Sequence, residues 1–597
     1  WVKELGNLKT LKADSIAGIT VAFVIVPQSM AYAQLAGLGP EYGLYAAFLP
    51  VLIGAVMGSS RQLSTGPVAV VSLLTAAALG EIVTDPSSYA VYAALLALIV
   101  GLFQLTLGIL RMGFIINFLS HPVVTGFTNA AAIIIGASQL PKVFGIRVIN
   151  RNDSDWITSC ESSFIDLSDK VSNSELHSIC SADQSYETIV KLIEAAIFYT
   201  HLPTLAMALT SIIAIIIMQR FFPRLPAILT VAILATMTSF LIDYQSMGGA
   251  IVNSINIEGL FSFKLPSFDF NVMGTLFIYA ITISLIGFME AISVAKSMAA
   301  STKQRLDVNQ ELIGQGLSNI TSSFFQGYAV SGSFSRSAVN LTAGAVTGFS
   351  SVVTAIIVGV TILWLTPLLF HLPLASLAAI ILMSVVNLIN FASLKHAWKV
   401  EKHDGWVGLL TFIMTLIFAP NLENGIAFGV IMSLGLFLYR TMEPKFFELS
   451  VEHGSIIASR FADDSSEVSK SVKVAKWSGS LYFANAAYFE TKLLELIAKH
   501  NDGLKYIVVD VASIVQVDAS GEQVLSSLVE TCSNSGIEIL FARTERLEAE
   551  LFRAGFKKRF GDNRFFDLRA DALKYVWQEL EDSKKEHEDG KDDVEQQ

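Results

Sequence analysis

The sequence predicts an α-helical, polytopic membrane protein of about fourteen segments, followed by a small α/β domain. Three observations predict it. Only 16% of the 597 residues are charged and 52% are hydrophobic, against about 25% charged in soluble domains. Apolar runs follow one another from Asp14 to Arg440. Past Arg440 the runs shorten, and strand-like and helix-like patterns alternate.

Residues 1–13 read as a cytoplasmic N-terminal segment, and the start at Trp1 reads as trimmed. The first apolar run is followed by many others, so it does not read as a cleavable signal. Residues 14–440 read as the membrane part. A span needs about 20 residues. Ala90–Leu110, Val124–Leu140, Leu205–Met218, Ala227–Ile242, Met273–Met289, Val352–Leu369 and Leu372–Ile389 cross or half-cross on that measure. Trp406–Tyr439 is broken at Pro420-Asn421, which predicts two helices and a tight turn.

Orientation follows from the short loops. Arg61, Arg111, Arg220, Lys303, Lys395 and Arg440 fall on one side, whereas Leu35–Glu41, Gly80–Ser88 and Pro420–Asn424 hold no Lys or Arg. The positive-inside rule puts both chain ends in the cytoplasm, in a plasma or inner membrane. The polar segment Pro141–Thr188 then lies outside. Its Cys160 and Cys180 are a candidate disulfide in an oxidising compartment, and its Asn152-Asp153-Ser154 is a glycosylation sequon if the source is eukaryotic.

Residues 441–578 read as a cytoplasmic α/β domain with its linker. Strands are expected at Ser471–Lys476, Ile507–Val511 and Glu538–Ala542. Helices are expected at Ala486–Lys499, Gly521–Ser533 and Glu545–Ala554. Residues 579–597, nearly all Asp, Glu, Lys and Gln, are expected to be a disordered tail. Of the net charge of −11, −9 arises from Thr441 onward, which argues against nucleic acid as a partner. The three cysteines, Cys160, Cys180 and Cys532, lack zinc or redox spacing. Neither a phosphate-binding Gly-Lys-Ser/Thr loop nor a nucleophile elbow occurs, so no cofactor and no enzyme activity are expected.

Two interruptions recur in the membrane part. Val26-Pro27-Gln28-Ser29-Met30-Ala31-Tyr32 precedes Ser64-Thr65-Gly66-Pro67-Val68-Ala69. Much later Gly287-Phe288-Met289-Glu290-Ala291 precedes Val330-Ser331-Gly332-Ser333-Phe334-Ser335-Arg336-Ser337. Paired interruptions in two halves point to the binding site of a secondary transporter. Each has the composition of a helix start, whose free N–H groups and dipole favour an anion. The bland alternative is a pair of kinks in packed helices. Arg336 inside the second break either faces an anion, snorkels, or pairs with an acid. Glu290, alone in a long apolar run, either loads a proton or pairs with Arg336 or Lys296.

Pro27–Ala33, the run Gly58-Ser59-Ser60-Arg61-Gln62-Leu63-Ser64-Thr65-Gly66-Pro67, and Ser333–Asn340 resemble the sulfate permease (SulP) family of anion transporters. Tyr506–Gly521, ending Val517-Asp518-Ala519-Ser520-Gly521, resembles a STAS domain. The resemblance covers nearly the whole chain. It implies fourteen segments in two inverted repeats of seven, with core and gate domains, and a homodimer. It also implies a sulfate or similar inorganic anion between half-helices at Pro67–Leu73 and Ser335–Ala343. The implied site residues are Gln28, Tyr32, Gly66, Pro67, Val68, Ser333, Phe334, Ser335 and Arg336, with Glu290 coupling transport to protons. Ser520 matches a serine phosphorylated in bacterial regulators, which implies a possible cytoplasmic regulator. The following Glu522-Gln523 departs from their pattern, and helix capping by Asp518 or Ser520 is the favoured reading. Proton-coupled sulfate symport is the leading expectation. A sodium-coupled bicarbonate or dicarboxylate transporter, or an uncoupled anion exchanger or channel, is the alternative.

Overall fold

In lipid an apolar run must close its backbone hydrogen bonds within itself, so runs of this length fold as helices. The computed structural model describes residues 1–80, 82, 86–114, 120–146, 200–222, 226–252, 263–266, 270–386, 388–419, 421–452, 455–458, 470–500, 503–545, 553 and 555–595. The candidate disulfide pair Cys160 and Cys180 and the Asn152 sequon lie outside the described residues, as does most of the helix expected at Glu545–Ala554. The chain divides into two units, Trp1–Ser433 and Leu434–Gln597.

Among the described residues, nine helices are long and apolar enough to cross a membrane. They begin with α1 (Leu8–Leu35), α2 (Pro40–Ala46) running on into α3 (Leu49–Met57), and, past the strand β1 (Ser64–Gly66) and the short α4 (Ala69–Gly80), α5 (Pro86–Ile109). Next come α6 (His121–Phe144), α7 (Leu202–Phe221), the shorter α8 (Ala227–Leu241) and α9 (Phe270–Thr302). The second strand, β2 (Ser331–Ser333), lies between α10 (Val308–Phe324) and α11 (Phe334–Thr342). Then come α12 (Phe349–Val360, continued to Leu369), α13 (Leu374–Val386), α14 (Phe391–Val400), α15 (Lys402–Phe418) and α16 (Leu422–Met442), within which the first unit ends at Ser433. Two shorter helices, α4 and α8, are apolar as well.

Local sequence explains the boundaries. Asn7 caps α1 by accepting the Lys9 N–H at 3.0 Å, and Asp307 caps α10 from Asn309 and Gln310 at 2.9 and 3.1 Å. Pro27 within α1 carries no N–H, so the carbonyl four residues earlier lacks its helical partner just before Gln28. The expected break at Pro420-Asn421 separates α15 from α16.

The second unit is a six-stranded sheet in the order β4-β3-β5-β6-β7-β8. The strands β5 (Val472–Ser478), β6 (Tyr506–Asp510), β7 (Glu538–Ala542) and β8 (Phe565–Phe566) run parallel. They alternate with α17 (Ala486–Lys499) and α18 (Ala519–Asn534). Trp477, Phe489, Phe541 and Phe556 fill one core. The antiparallel β3 (Lys445–Glu452) and β4 (Ser455–Ala458) were not expected from the sequence. Asp518 caps α18 from Gly521 at 2.8 Å and also accepts the Phe483 N–H at 2.8 Å. Capping therefore belongs to Asp518, and Ser520 follows it in the first turn, half-buried. The expected disordered tail needs correction: residues 579–595 continue the helix Arg569–Glu595.

Candidate functional site

The two interruptions meet. Strands β1 and β2 pair antiparallel, with Ser64 opposite Ser333, Thr65 opposite Gly332 and Gly66 opposite Ser331. Each strand leads into a short helix, α4 from Ala69 and α11 from Phe334. Ser333 stands at the N-cap of α11 without a side-chain cap bond, so that helix start keeps its affinity for an anion.

Two glycines permit this approach. Gly66 has φ +147°, outside the range of side-chain-bearing residues, and a Cβ there would lie 3.2 Å from Arg336 Nη2 and 3.1 Å from Ile25. At Gly332 a Cβ would press on the Ala291 backbone at 3.0 Å.

Arg336 lies three residues into α11 and is 0% exposed, which excludes snorkelling. Its Nη1 donates to the Pro67 carbonyl at 2.7 Å and to Gln28 Oε1 at 3.4 Å, and its Nε donates to Ser64 Oγ at 3.4 Å. Nη2 is buried without a partner. The guanidinium thus ties both breaks and α1 together, with both N–H groups of Nη2 unspent. A buried cation whose only partners are neutral oxygens keeps its charge for a ligand.

Gln28, one residue past Pro27, is 1% exposed. Besides accepting from Arg336, it donates from Nε2 to Ser384 Oγ at 3.3 Å. Tyr32, one turn along α1, has its hydroxyl beside Ser384 and Gln28 and lies within the field of Arg336. Gln28 and Ser335 open onto a cavity of about 610 Å³, bounded on other sides by Thr20, Gln219, Ile228 and Ser384. Ser335 Oγ also lies 3.3 Å from Ser333 Oγ.

Glu290 sits on α9. One turn before it, the Gly287 carbonyl accepts from Ser331 Oγ of β2 at 2.5 Å. The enclosed Oε2 of Glu290 has no hydrogen-bond partner, and its charge and that of Arg336 act on each other. Lys296, the other basic residue considered for it, is exposed.

Of the expected binding residues, Gln28 and Ser335 line the cavity, and Tyr32, Gly66, Pro67, Val68, Ser333, Phe334 and Arg336 do not. Val68 is buried in the apolar core, and the Phe334 ring is 57% exposed. Sequence reasoning missed Ser384, a single hydroxyl in the apolar run of α13, and Tyr328, whose hydroxyl meets Ser72 of α4 at 3.0 Å. It also missed Ser64 as a partner of Arg336, although Ser64 stands within the quoted interruption.

Residues 11–411 match the Sulfate permease family and residues 465–572 match the STAS domain. The chain is 33% identical to "Probable sulfate transporter 4.2" of Arabidopsis thaliana, covering 96% of this chain and 82% of that protein. It is 30% identical to "High affinity sulfate transporter 2" of Stylosanthes hamata, covering 95% and 84%. In fold it is similar to the murine Slc26a9 anion transporter in its inward-facing state. The TM-score is 0.81 over 97% of this chain and 93% of that one, at 21% identity. The transmembrane domain of the cyanobacterial bicarbonate transporter BicA matches at TM-score 0.58 and 22% identity, over 72% of this chain and 98% of that one.

Proposed function

The chain belongs to the sulfate permease family of membrane anion transporters, and from that premise we propose that it carries sulfate by proton-coupled symport with alternating access. One observation carries the proposal: a buried arginine with an unspent donor, held between two paired helix breaks. The unpartnered Nη2, the uncapped start of α11, and the hydroxyls of Ser333 and Ser335 suit a tetrahedral dianion. The relatives' names point to the same substrate.

Glu290 is the coupling group in this reading. The residue is half-buried, with Oε2 enclosed and unpaired and within the field of Arg336. A bound dianion offsets the guanidinium charge, so the anion and a proton on Glu290 stabilise each other. That reciprocity is what coupling means. Transport then requires both ligands to load before the site is re-exposed, with both chain ends cytoplasmic and two copies per assembly.

The test is Glu290→Gln, which mimics the protonated form. In proteoliposomes it should keep sulfate binding and passive exchange while losing accumulation driven by a pH gradient. Accumulation that survives intact would remove Glu290 from coupling and favour sodium-coupled or uncoupled exchange.

A further inference from the structure

The cavity beside Arg336 has two walls. One is built by α1 and α11 and offers Gln28 and Ser335; the other, built by α8 and α13, offers Ile228, Met383 and Ser384. On that second wall Ser384 sits within reach of the site residues. Its Oγ donates to the Ile380 carbonyl at 2.8 Å and accepts from Gln28 Nε2 at 3.3 Å. The first of these bonds is spare, because an α-helical carbonyl already accepts from the backbone four residues on. A serine hydroxyl has one proton and rotates to suit its partner.

From this geometry we propose that Ser384 is a further anion ligand, supplied by the wall facing the helix breaks. Its proton turns from the Ile380 carbonyl to an anion oxygen, and Gln28 Nε2 turns with it. Two donors that hold each other thereby become two donors to the same dianion. The anion then bridges α1 and α13, so its presence fixes the distance between the two walls. The proposal rests on the anion site at Arg336, and its test separates the two.

The measurement is calorimetric titration of the purified full chain with sodium sulfate, alongside uptake kinetics in proteoliposomes. Ser384→Ala should raise the Kd and KM about tenfold, the scale of one hydrogen bond to a charged group, with the maximal rate little changed. Ser384→Thr, which keeps the hydroxyl, should restore both. An unchanged Kd with an altered maximal rate would mean that Ser384 only latches α13 to α1, and would overturn the proposal. If the alanine variant does not purify, Ser384→Cys, nearly isosteric with a weak donor, decides by the same criterion. Arg336→Ala serves as the control. Lost binding there with wild-type affinity in Ser384→Ala sinks only the present inference. Wild-type affinity in Arg336→Ala sinks the anion site itself.

Discussion

Arginine at position 336 does what lysine cannot. Its fork reaches the Pro67 carbonyl, Gln28 and Ser64 at once and still leaves Nη2 free. A lysine ammonium is a point charge on a flexible stem and cannot hold that geometry. Arg336→Lys should therefore keep the charge yet weaken sulfate binding at least about tenfold, read by titration of the purified variant. Binding at wild-type strength would mean that charge alone matters. Arg336 was legible in the sequence because a cation among small residues in an apolar stretch is rarely idle. Ser384 was not: one hydroxyl in an apolar helix looks the same whether it lines a cavity or back-bonds to its own helix. Only the fold brings it to Gln28.

Helices and strands show a second kind of hidden residue. The loop ahead of β1 is held by Glu311 of α10, whose Oε2 accepts the Ser59 and Ser60 N–H groups, both at 2.8 Å. The loop after α11 is held in the same way by Asp14 of α1, from Val346 and Thr347 at 2.7 and 3.0 Å. Each helix break is thus anchored by a buried carboxylate from a neighbouring helix. Glu311→Ala strands two backbone donors, at a cost of about 1–3 kcal/mol each. Its melting temperature in detergent should drop clearly, and added sulfate should recover part of the loss by binding the folded form. An unchanged melting temperature would show that water replaces the carboxylate. These anchors escaped the sequence because both acids lie near polar helix ends, where a charge usually faces solvent. The breaks themselves were legible from their glycines and hydroxyls. Their pairing as antiparallel strands, with Thr65 opposite Gly332, was not.

Across the whole chain, every proposed ligand from Gln28 to Ser384 belongs to the first unit. Deleting residues from Val451 onward should leave sulfate affinity within about twofold while impairing assembly or delivery to the membrane. A folded truncation that no longer binds sulfate would contradict the division of labour. The membrane part and the α/β part were both readable from hydropathy and alternation, since lipid and a parallel sheet impose strong periodicities. The extra strands β3 and β4 were not, because they run antiparallel ahead of the strand–helix alternation that marks the rest of the domain. The β1–β2 ladder has a consequence for synthesis. Its two strands are roughly 270 residues apart, so at about 5–20 residues per second the first waits roughly 10–50 s for its mate. For that interval an open strand edge stands within a bilayer that tolerates none. The newborn first half must therefore be sheltered by neighbouring helices or by the insertion machinery, and the transport site is among the last features of the membrane part to exist.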